Sequence, residues 1–74
     1  MACINPDGTL TSSGVAMLSA LKTPITLEEV AQVAGLPLFR VRSGVREMIA
    51  GGLVEEEGGK YSLTDPGKRR LEAQ

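Results

Sequence analysis

The sequence contains no histidine and only one cysteine, Cys3, among its 74 residues. A single thiol cannot form an intramolecular disulfide, and without imidazole the Cys/His zinc sites and the histidine-dependent catalytic triads are excluded. Cys3 has no basic neighbour and no second thiol, so we expect it to be inert. We therefore predict a chain that folds without disulfides, metal or any other cofactor, in a reducing compartment such as the cytoplasm.

Aromatic residues are also scarce. Phe39 and Tyr61 are the only ones in the sequence. The core must therefore consist of aliphatic side chains and methionine, a composition that suits packed helices. No apolar run approaches the roughly 18 residues of a membrane span, and the N-terminus shows no basic segment followed by an apolar run. The sequence thus predicts a protein that is neither membrane-bound nor secreted.

Patterns that carry catalysis are also missing from the sequence. The chain has no glycine-rich phosphate loop, no cluster of metal ligands and no nucleophile paired with a base. Glu28 and Glu29 are adjacent on a predicted helix, so they cannot face each other across a substrate. We therefore predict that this chain is not an enzyme.

The net charge is −1, but it is unevenly distributed along the chain. Residues 36–52 carry a charge of +2, whereas residues 1–35 and 53–62 each carry −2. When one face makes the contact, a local basic segment matters more for nucleic-acid binding than a small negative total. A chain of 74 residues accommodates one domain, so the basic segment and its acidic neighbours share one folded unit.

The N-terminal part of the chain is predicted to contain a turn, a helix and a short extended residue. Residues 1–11 form a turn segment centred on residues 5–8, where proline and glycine favour a β-turn. Apolar residues three and four apart predict a first helix over residues 12–22, which Pro24 interrupts. Ile25 is a candidate for a one-residue strand. The residues predicted to pair around the turn are Cys3, Ile4, Thr9 and Leu10.

Residues 26–35 and 37–50 are predicted as two helices joined by a tight turn. A capping box begins the first of them at Thr26, and Gly35 ends it in a left-handed conformation. Proline is acceptable at the first helical position, so we expect Pro37 to begin the second helix. At 100° per residue, the apolar side chains of that helix fall on one inward face, opposite a basic face. The inward residues are Leu38, Val41, Val45 and Met48.

Residues 53–63 are predicted as a β-hairpin, because two alternating segments surround a pair of glycines. The tip of this hairpin is acidic. A last helix follows over residues 65–74, capped by Thr64 or Asp65. The predicted order is therefore helix, helix, helix, hairpin, helix.

Three segments resemble the winged helix domain of the MarR-like superfamily of bacterial and archaeal transcription regulators. The run from Ala31 to Val41 is similar to their helix-turn-helix. The run from Met48 to Glu55 is similar to the passage into the wing, and Tyr61 to Lys68 to its exit into the last helix. The three segments occur in the same order as in that superfamily, and together the resemblance covers residues 24–71, most of the chain.

The resemblance implies a mainly α fold with a small β-hairpin, a winged helix-turn-helix, as a single domain over residues 1–74. It also implies a transcriptional regulator that binds double-stranded DNA, with residues 37–50 as the recognition helix in the major groove. The DNA-binding positions, carried over residue by residue, are Pro37, Phe39, Arg40, Arg42, Ser43, Arg46 and, in the wing, Lys60.

The acidic hairpin leaves a second function open, a protein-interaction module on the same scaffold that does not bind DNA. Glu55, Glu56 and Glu57 are either a solvated hairpin surface or an acidic surface that attracts a basic protein or limits the affinity for DNA. Phe39 contacts a thymine methyl group, folds back onto Leu36, or fills a pocket of a protein partner.

The oligomeric state is also open, because the chain either forms a homodimer through the first and last helices or acts as a monomer. Ile49 is either part of a partner surface or packed beneath the last helix. A chain this short leaves little room for an effector pocket of roughly 300 Å³ beside its core.

Overall fold

The computed structural model describes residues 4–73, with four helices and one antiparallel hairpin in the predicted order. The fold is mainly α with a small β-hairpin, the arrangement of a winged helix-turn-helix. Cys3 and Gln74, which belong to the predicted N-terminal hairpin and last helix, lie outside the described residues. The elements are α1 (Ser12–Ala20), α2 (Leu27–Ala34), α3 (Leu38–Ala50), β1 (Val54–Glu57), β2 (Lys60–Leu63) and α4 (Asp65–Glu72).

Threonine side chains cap three of the four helices in residues 4–73. The hydroxyl oxygens of Thr11, Thr26 and Thr64 each accept the backbone N–H three residues later, at 3.1–3.2 Å. At α2 the Glu29 carboxylate also accepts the Thr26 N–H at 2.9 Å, which completes the predicted capping box. Gly35 ends α2 with φ 68°, in the predicted left-handed conformation.

α1 ends at Ala20, two residues before the predicted end of the helix at residue 22. The Leu21 N–H still donates to the Leu18 carbonyl at 3.1 Å. The Leu21 carbonyl, however, accepts the N–H of Leu63 at 3.1 Å, so the chain pairs with β2 there instead of continuing the helix. α4 is also shorter than predicted, since it ends at Glu72.

Pro37 precedes α3. The prediction that Pro37 is the first residue of this helix was therefore wrong. The φ of −62° and ψ of 146° at Pro37 are extended, and α3 begins at Leu38. The Pro37 carbonyl nevertheless accepts the N–H groups of Arg40 at 3.1 Å and Val41 at 3.2 Å. Pro37 is therefore the N-cap, and because its side chain has no acceptor, α3 has no side-chain cap.

The hairpin joins β1 and β2 in the register Val54 opposite Leu63. Its turn consists of Gly58 and Gly59, whose φ angles are 61° and 84°. A two-residue hairpin turn of type I′ requires positive φ at both of these positions. Ile25 pairs with Tyr61 on the other side of β2, through reciprocal hydrogen bonds of 3.1 and 2.7 Å. β2 is therefore flanked on both sides, and β1 lies at the edge.

The hydrophobic core is aliphatic, as the composition predicted, and lies among the helices and the base of the hairpin. Of the inward residues predicted for α3, Val41, Val45 and Met48 are buried and Leu38 is half-buried. The buried hydrophobic residues are Leu10, Met17, Leu18, Ala20, Leu21, Val30, Val41, Val45, Met48, Leu53, Val54 and Leu63.

The N-terminal turn is attached to both α3 and α4. Ile4 pairs with Leu10 across the turn, and its N–H donates to the Glu47 carboxylate of α3 at 3.1 Å. On the other side, the Arg70 guanidinium of α4 donates to the Gly8 carbonyl at 2.7 Å. The described part of the predicted N-terminal hairpin is thus present, and polar contacts hold it against the helices.

The start of α4 is fixed to the connection between α3 and the hairpin. The Thr64 N–H donates to the Leu53 carbonyl at 3.0 Å, and the Thr64 hydroxyl donates to the Gly52 carbonyl at 2.6 Å. Gly67 is buried against the Leu53 carbonyl, where a Cβ atom would overlap the oxygen. These contacts set the position of the hairpin relative to α3.

Replacement of Gly67 by alanine should lower the free energy of unfolding by about 2–4 kcal/mol, because the added Cβ has no space beside the Leu53 carbonyl. Urea denaturation followed by circular dichroism measures this loss. Gly51→Ala is the matched control, because a Cβ there makes only ordinary contacts at 3.6 Å or more. Unchanged stability of the Gly67→Ala variant would contradict the close approach.

The capping box of α2 should make stability depend on pH. Two hydrogen bonds hold the pKa of Glu29 below its ordinary value of 4.5. The one from the Thr26 N–H has the larger effect, and the one from the Thr26 hydroxyl the smaller. The Thr9 hydroxyl and N–H similarly lower the pKa of Asp7. A carboxyl with a lowered pKa stabilises the fold above its unfolded pKa, and this stabilisation is lost as the pH falls through the folded pKa.

We therefore expect the Tm of the wild type to fall as the pH drops below about 5. Glu29→Gln is the control, because glutamine keeps an acceptor in the capping box but does not titrate. The wild type should have the higher Tm at neutral pH, and the difference should narrow with acidification. A difference that stays constant down to about pH 3 would contradict a lowered pKa of Glu29.

Candidate nucleic-acid interface

The solvent face of α3 carries the residues that the sequence assigned to DNA binding. Residues of a helix advance by about 100° per position, so the side opposite the buried Val41, Val45 and Met48 points outward. Every predicted position on and before this helix is exposed. These positions are Pro37, Phe39, Arg40, Arg42, Ser43 and Arg46.

The three arginines of α3 occupy two sides of its exposed face. Arg42 and Arg46 are one turn apart and lie about 40° from each other around the helix axis, so they form a pair. Arg40 lies at least about 120° from either of them. The helix therefore presents a paired cationic site on one flank and a single guanidinium group on the other.

Glu47 is the only carboxylate of α3. It is half-buried, and its Oε1 accepts the Ile4 N–H at 3.1 Å. This contact directs the Glu47 carboxylate toward the N-terminal segment. The exposed α3 positions predicted to bind DNA include three arginines and no carboxylate.

The N-terminus of α3 differs from those of the other described helices, because no side chain caps it. The first N–H groups of a helix have no intrahelical acceptor and carry its positive dipole end. They follow Pro37 and lie beside the exposed Phe39. The N–H groups of such an end can donate hydrogen bonds to a phosphate oxygen.

A groove of about 300 Å³ lies beside the arginine pair. Its lining comes from α3, the first turn of α2 and strand β2, and includes Ile49, which is 41% exposed. Ile49 therefore faces this groove, and it is not packed beneath α4. The sequence predicted little room for a pocket of this size beside the core because the chain is short, whereas this groove lies at the surface, where the three elements meet. The lining residues are Leu27, Arg42, Val45, Arg46, Ile49 and Tyr61.

The wing is acidic where the resemblance implied a basic contact. Glu55, Glu56 and Glu57 are all exposed, and the Glu56 carboxylate accepts the Gly59 N–H at 3.1 Å within the hairpin turn. Glu55 shares a face with Ser62, its partner in the register. The wing therefore presents negative charge to solvent beside the basic helix.

Lys60 is the one basic residue of the hairpin strands. It is exposed, lies opposite Glu57 in the register, and its charge helps to lower the pKa of Glu29. Lys60 therefore lies near the first turn of α2. Its assignment as a DNA contact stays a prediction.

Large apolar side chains are exposed on both helices of the helix-turn-helix. Val33 of α2 is 70% exposed and Phe39 of α3 is 71% exposed. Phe39 therefore does not fold back onto Leu36, which leaves contact with a base or with a protein partner as the interpretations of this ring.

The predicted dimer surface involves α1 and α4, which pack against each other within the chain. Beside them lies a second groove of about 340 Å³, with lysines at its edge and leucines at its base. A homodimer through these helices stays a prediction. The residues that line the groove are Lys22, Leu63, Lys68, Leu71 and Glu72.

Residues 4–73 lack two further features, a membrane-spanning helix and a metal-binding cluster. None of the helices in this range has the length and apolar character needed to cross a membrane. The same residues contain no group of three or more cysteine, aspartate or glutamate side chains that could hold a metal ion.

Fold and site together define a small winged helix domain with a basic third helix. No protein-family model matches the chain, and no curated protein is significantly similar in sequence. The structure is similar to part of the crystal structure of an O-methyltransferase, NcsB1, from neocarzinostatin biosynthesis, in complex with S-adenosyl-L-homocysteine. The TM-score is 0.64 and the identity 26%, over 80% of this chain. The chain spans about a fifth of that protein, 21% of its length.

Proposed function

We propose that this domain binds double-stranded DNA through α3 and acts as a transcriptional regulator. The observation that carries the proposal is the charge arrangement of α3. Its outward face exposes Arg40, Arg42 and Arg46, while Glu47 is directed to the Ile4 N–H. Guanidinium groups pair with guanine and phosphate oxygens in a fixed fork geometry, so this face suits the edge and backbone of a duplex.

The dimensions of α3 support the proposal. A helix of 13 residues is roughly 20 Å long and fits the major groove of B-DNA, which is about 12 Å wide. The uncapped N–H groups after Pro37 offer a phosphate contact at one end. Ser43 and Arg46 lie further along the outward face, where base edges are read.

DNA binding can be tested by fluorescence anisotropy with a labelled duplex of random sequence, titrated at low and moderate salt. We expect affinity to fall as salt rises, because bound phosphates release counterions. Changing both Arg42 and Arg46 to alanine should weaken binding and reduce the salt slope by about 2. Lys68→Ala with Arg69→Ala is the matched control, since it removes the same charge from exposed positions of α4.

Two results would contradict the proposal. No binding at protein concentrations above roughly 10⁻⁴ M would exclude even ordinary non-specific affinity. Equal losses in the α3 and α4 double variants would show that total charge, not the face of α3, determines binding.

The acidic wing should limit the affinity for DNA, since like charges repel the phosphate backbone. Glu55→Lys should therefore raise the affinity several-fold at low salt, and this gain should shrink as salt screens the charge. Glu72→Lys makes the same charge change on α4 and is the control. Equal gains in the two variants, in the same anisotropy titration, would show that the wing does not lie near the duplex.

A second candidate function is a protein-interaction module. It is favoured by the similarity to a fifth of an enzyme chain, where the fold is one part of a larger protein, and by the exposure of Val33 and Phe39. In that case the acidic wing attracts a basic partner surface. The duplex titration decides between the candidates, because an interaction module has no reason to bind DNA with a salt slope that depends on α3.

A further inference from the structure

We propose that two copies of this chain dock on each other, each placing its acidic wing on the basic α3 of the other. The basic side of the contact is the arginine pair, Arg42 and Arg46. The acidic side is formed by Glu55 and Glu57 of the second copy, and a two-fold axis repeats the contact in reverse. This surface differs from the one predicted for a homodimer, which involves α1 and α4.

The charged side chains of this surface have no partner within one copy. Among residues 4–73, the side chains of the arginine pair, Glu55 and Glu57 make no hydrogen bond or ion pair. Glu56 differs from its neighbours, because its carboxylate accepts the Gly59 N–H at 3.1 Å. Two positive and two negative groups are therefore available to a second molecule.

The two sets of charges have matching spacing. Arg42 and Arg46 are four residues apart on a helix that rises 1.5 Å per residue, so they are separated by about 6 Å along its axis. Glu55 and Glu57 are two residues apart on strand β1 and point to the same side, with a separation of about 7 Å. Each arginine can therefore face one glutamate, in the paired hydrogen bonds that guanidinium and carboxylate groups form.

The basic and acidic surfaces lie side by side on the domain. The groove of about 300 Å³ places the arginine pair beside Tyr61 of β2, the strand that pairs with β1. Two adjacent patches of opposite charge become self-complementary when a second copy is rotated by 180°, since each patch then meets its opposite. One chain thus supplies both halves of the contact, and the arrangement closes as a dimer.

An apolar side chain lies between the two charged surfaces. Ile49 lines the same groove and is 41% exposed, so a second copy that covers the groove removes it from water. Repulsion between whole copies is weak, because each carries a net charge of only −1. Since the surface is small and mainly charged, we expect a transient dimer with a Kd on the order of 10⁻⁴ M at low salt.

Docking has a consequence for DNA, and this step rests on the proposed function. An arginine pair that is bound to glutamates of a second copy is not available to phosphate. The second copy and the duplex therefore compete for α3, and each lowers the affinity for the other. The dimer is then a form of the protein in which the basic helix is covered.

The first test is sedimentation equilibrium of the full chain at concentrations from roughly 10⁻⁵ to 10⁻³ M. Interference optics suit this chain, which has one tyrosine and no tryptophan. We expect conversion from monomer to dimer and no further. Raising the salt to about 1 M should weaken association at least about tenfold, because salt screens exposed charges.

Two charge-reversed variants test which surfaces meet. Arg42→Glu with Arg46→Glu makes both surfaces acidic. Glu55→Lys with Glu57→Lys makes both surfaces basic. Each variant alone should stay monomeric, because like charges then face each other. An equimolar mixture of the two should form a dimer, since each reversed surface meets the opposite charge on the other variant.

The matched control is Lys68→Glu with Arg69→Glu, which reverses two exposed charges on α4 and should associate as the wild type does. Circular dichroism checks that each variant is folded. The milder change of Arg42→Gln with Arg46→Gln removes the charges without reversing them, and it should weaken association by about tenfold.

Four results would overturn the proposal. The first is a wild type that stays monomeric at about 10⁻³ M. The second is a mixture of the two folded, charge-reversed variants that stays monomeric. The third is an equal loss of association in the α4 control, which would show that total charge determines it. The fourth is a series of species larger than a dimer, which a closed two-fold contact does not allow.

A labelled duplex separates docking from DNA binding. Adding the duplex to the dimer should dissociate it, because both occupy the arginine pair. If the mixed variants form a dimer but no duplex binds to the wild type, docking stands and the DNA-binding proposal fails. If the duplex binds with a salt slope that depends on α3 and the wild type stays monomeric, docking fails and the DNA-binding proposal stands.

Discussion

The position of the wing depends on one close contact, between the start of α4 and the residues that leave α3. Thr64 donates its N–H and its hydroxyl to the Leu53 and Gly52 carbonyls, and its hydroxyl oxygen also caps α4. This geometry requires Gly67, because any side chain there would displace the Leu53 carbonyl. Together with the pairing of Ile25 with Tyr61, this contact holds the hairpin beside α3, where Tyr61 lines the groove with the arginine pair.

Positive and negative side chains lie on different elements of the domain, the arginines on α3 and the glutamates on the wing. Backbone N–H groups hold the carboxylates of Glu29 and Glu47, in the capping box and against the N-terminal segment respectively. The arginines of α3 are left exposed, as are the glutamates of the wing. A net charge of −1 therefore conceals a basic helix and an acidic hairpin on adjacent elements of one small domain. For a polyanion the helix attracts and the wing repels, so electrostatics favours an approach by α3 with little wing contact.

Much of the fold could be predicted from the sequence, because its signals are local. The capping box at Thr26, the left-handed Gly35 and the glycine pair of the hairpin each act over a few residues, and all are present. The exposed face of α3 follows from helical periodicity alone. The groove could not be predicted, since it requires Leu27 and Tyr61, distant in sequence, to meet Ile49. The place of Pro37 was misjudged because proline is equally compatible with the N-cap and the first helical position.

The similarity to part of an O-methyltransferase limits what the fold alone can say about function. A winged helix scaffold buries the inward faces of its helices and leaves the outward face of α3 unconstrained, so that face can differ while the core stays the same. The buried side of α3 is complete without its three exposed arginines and without the exposed Phe39. What the outward face of α3 binds therefore depends on these side chains and not on the core.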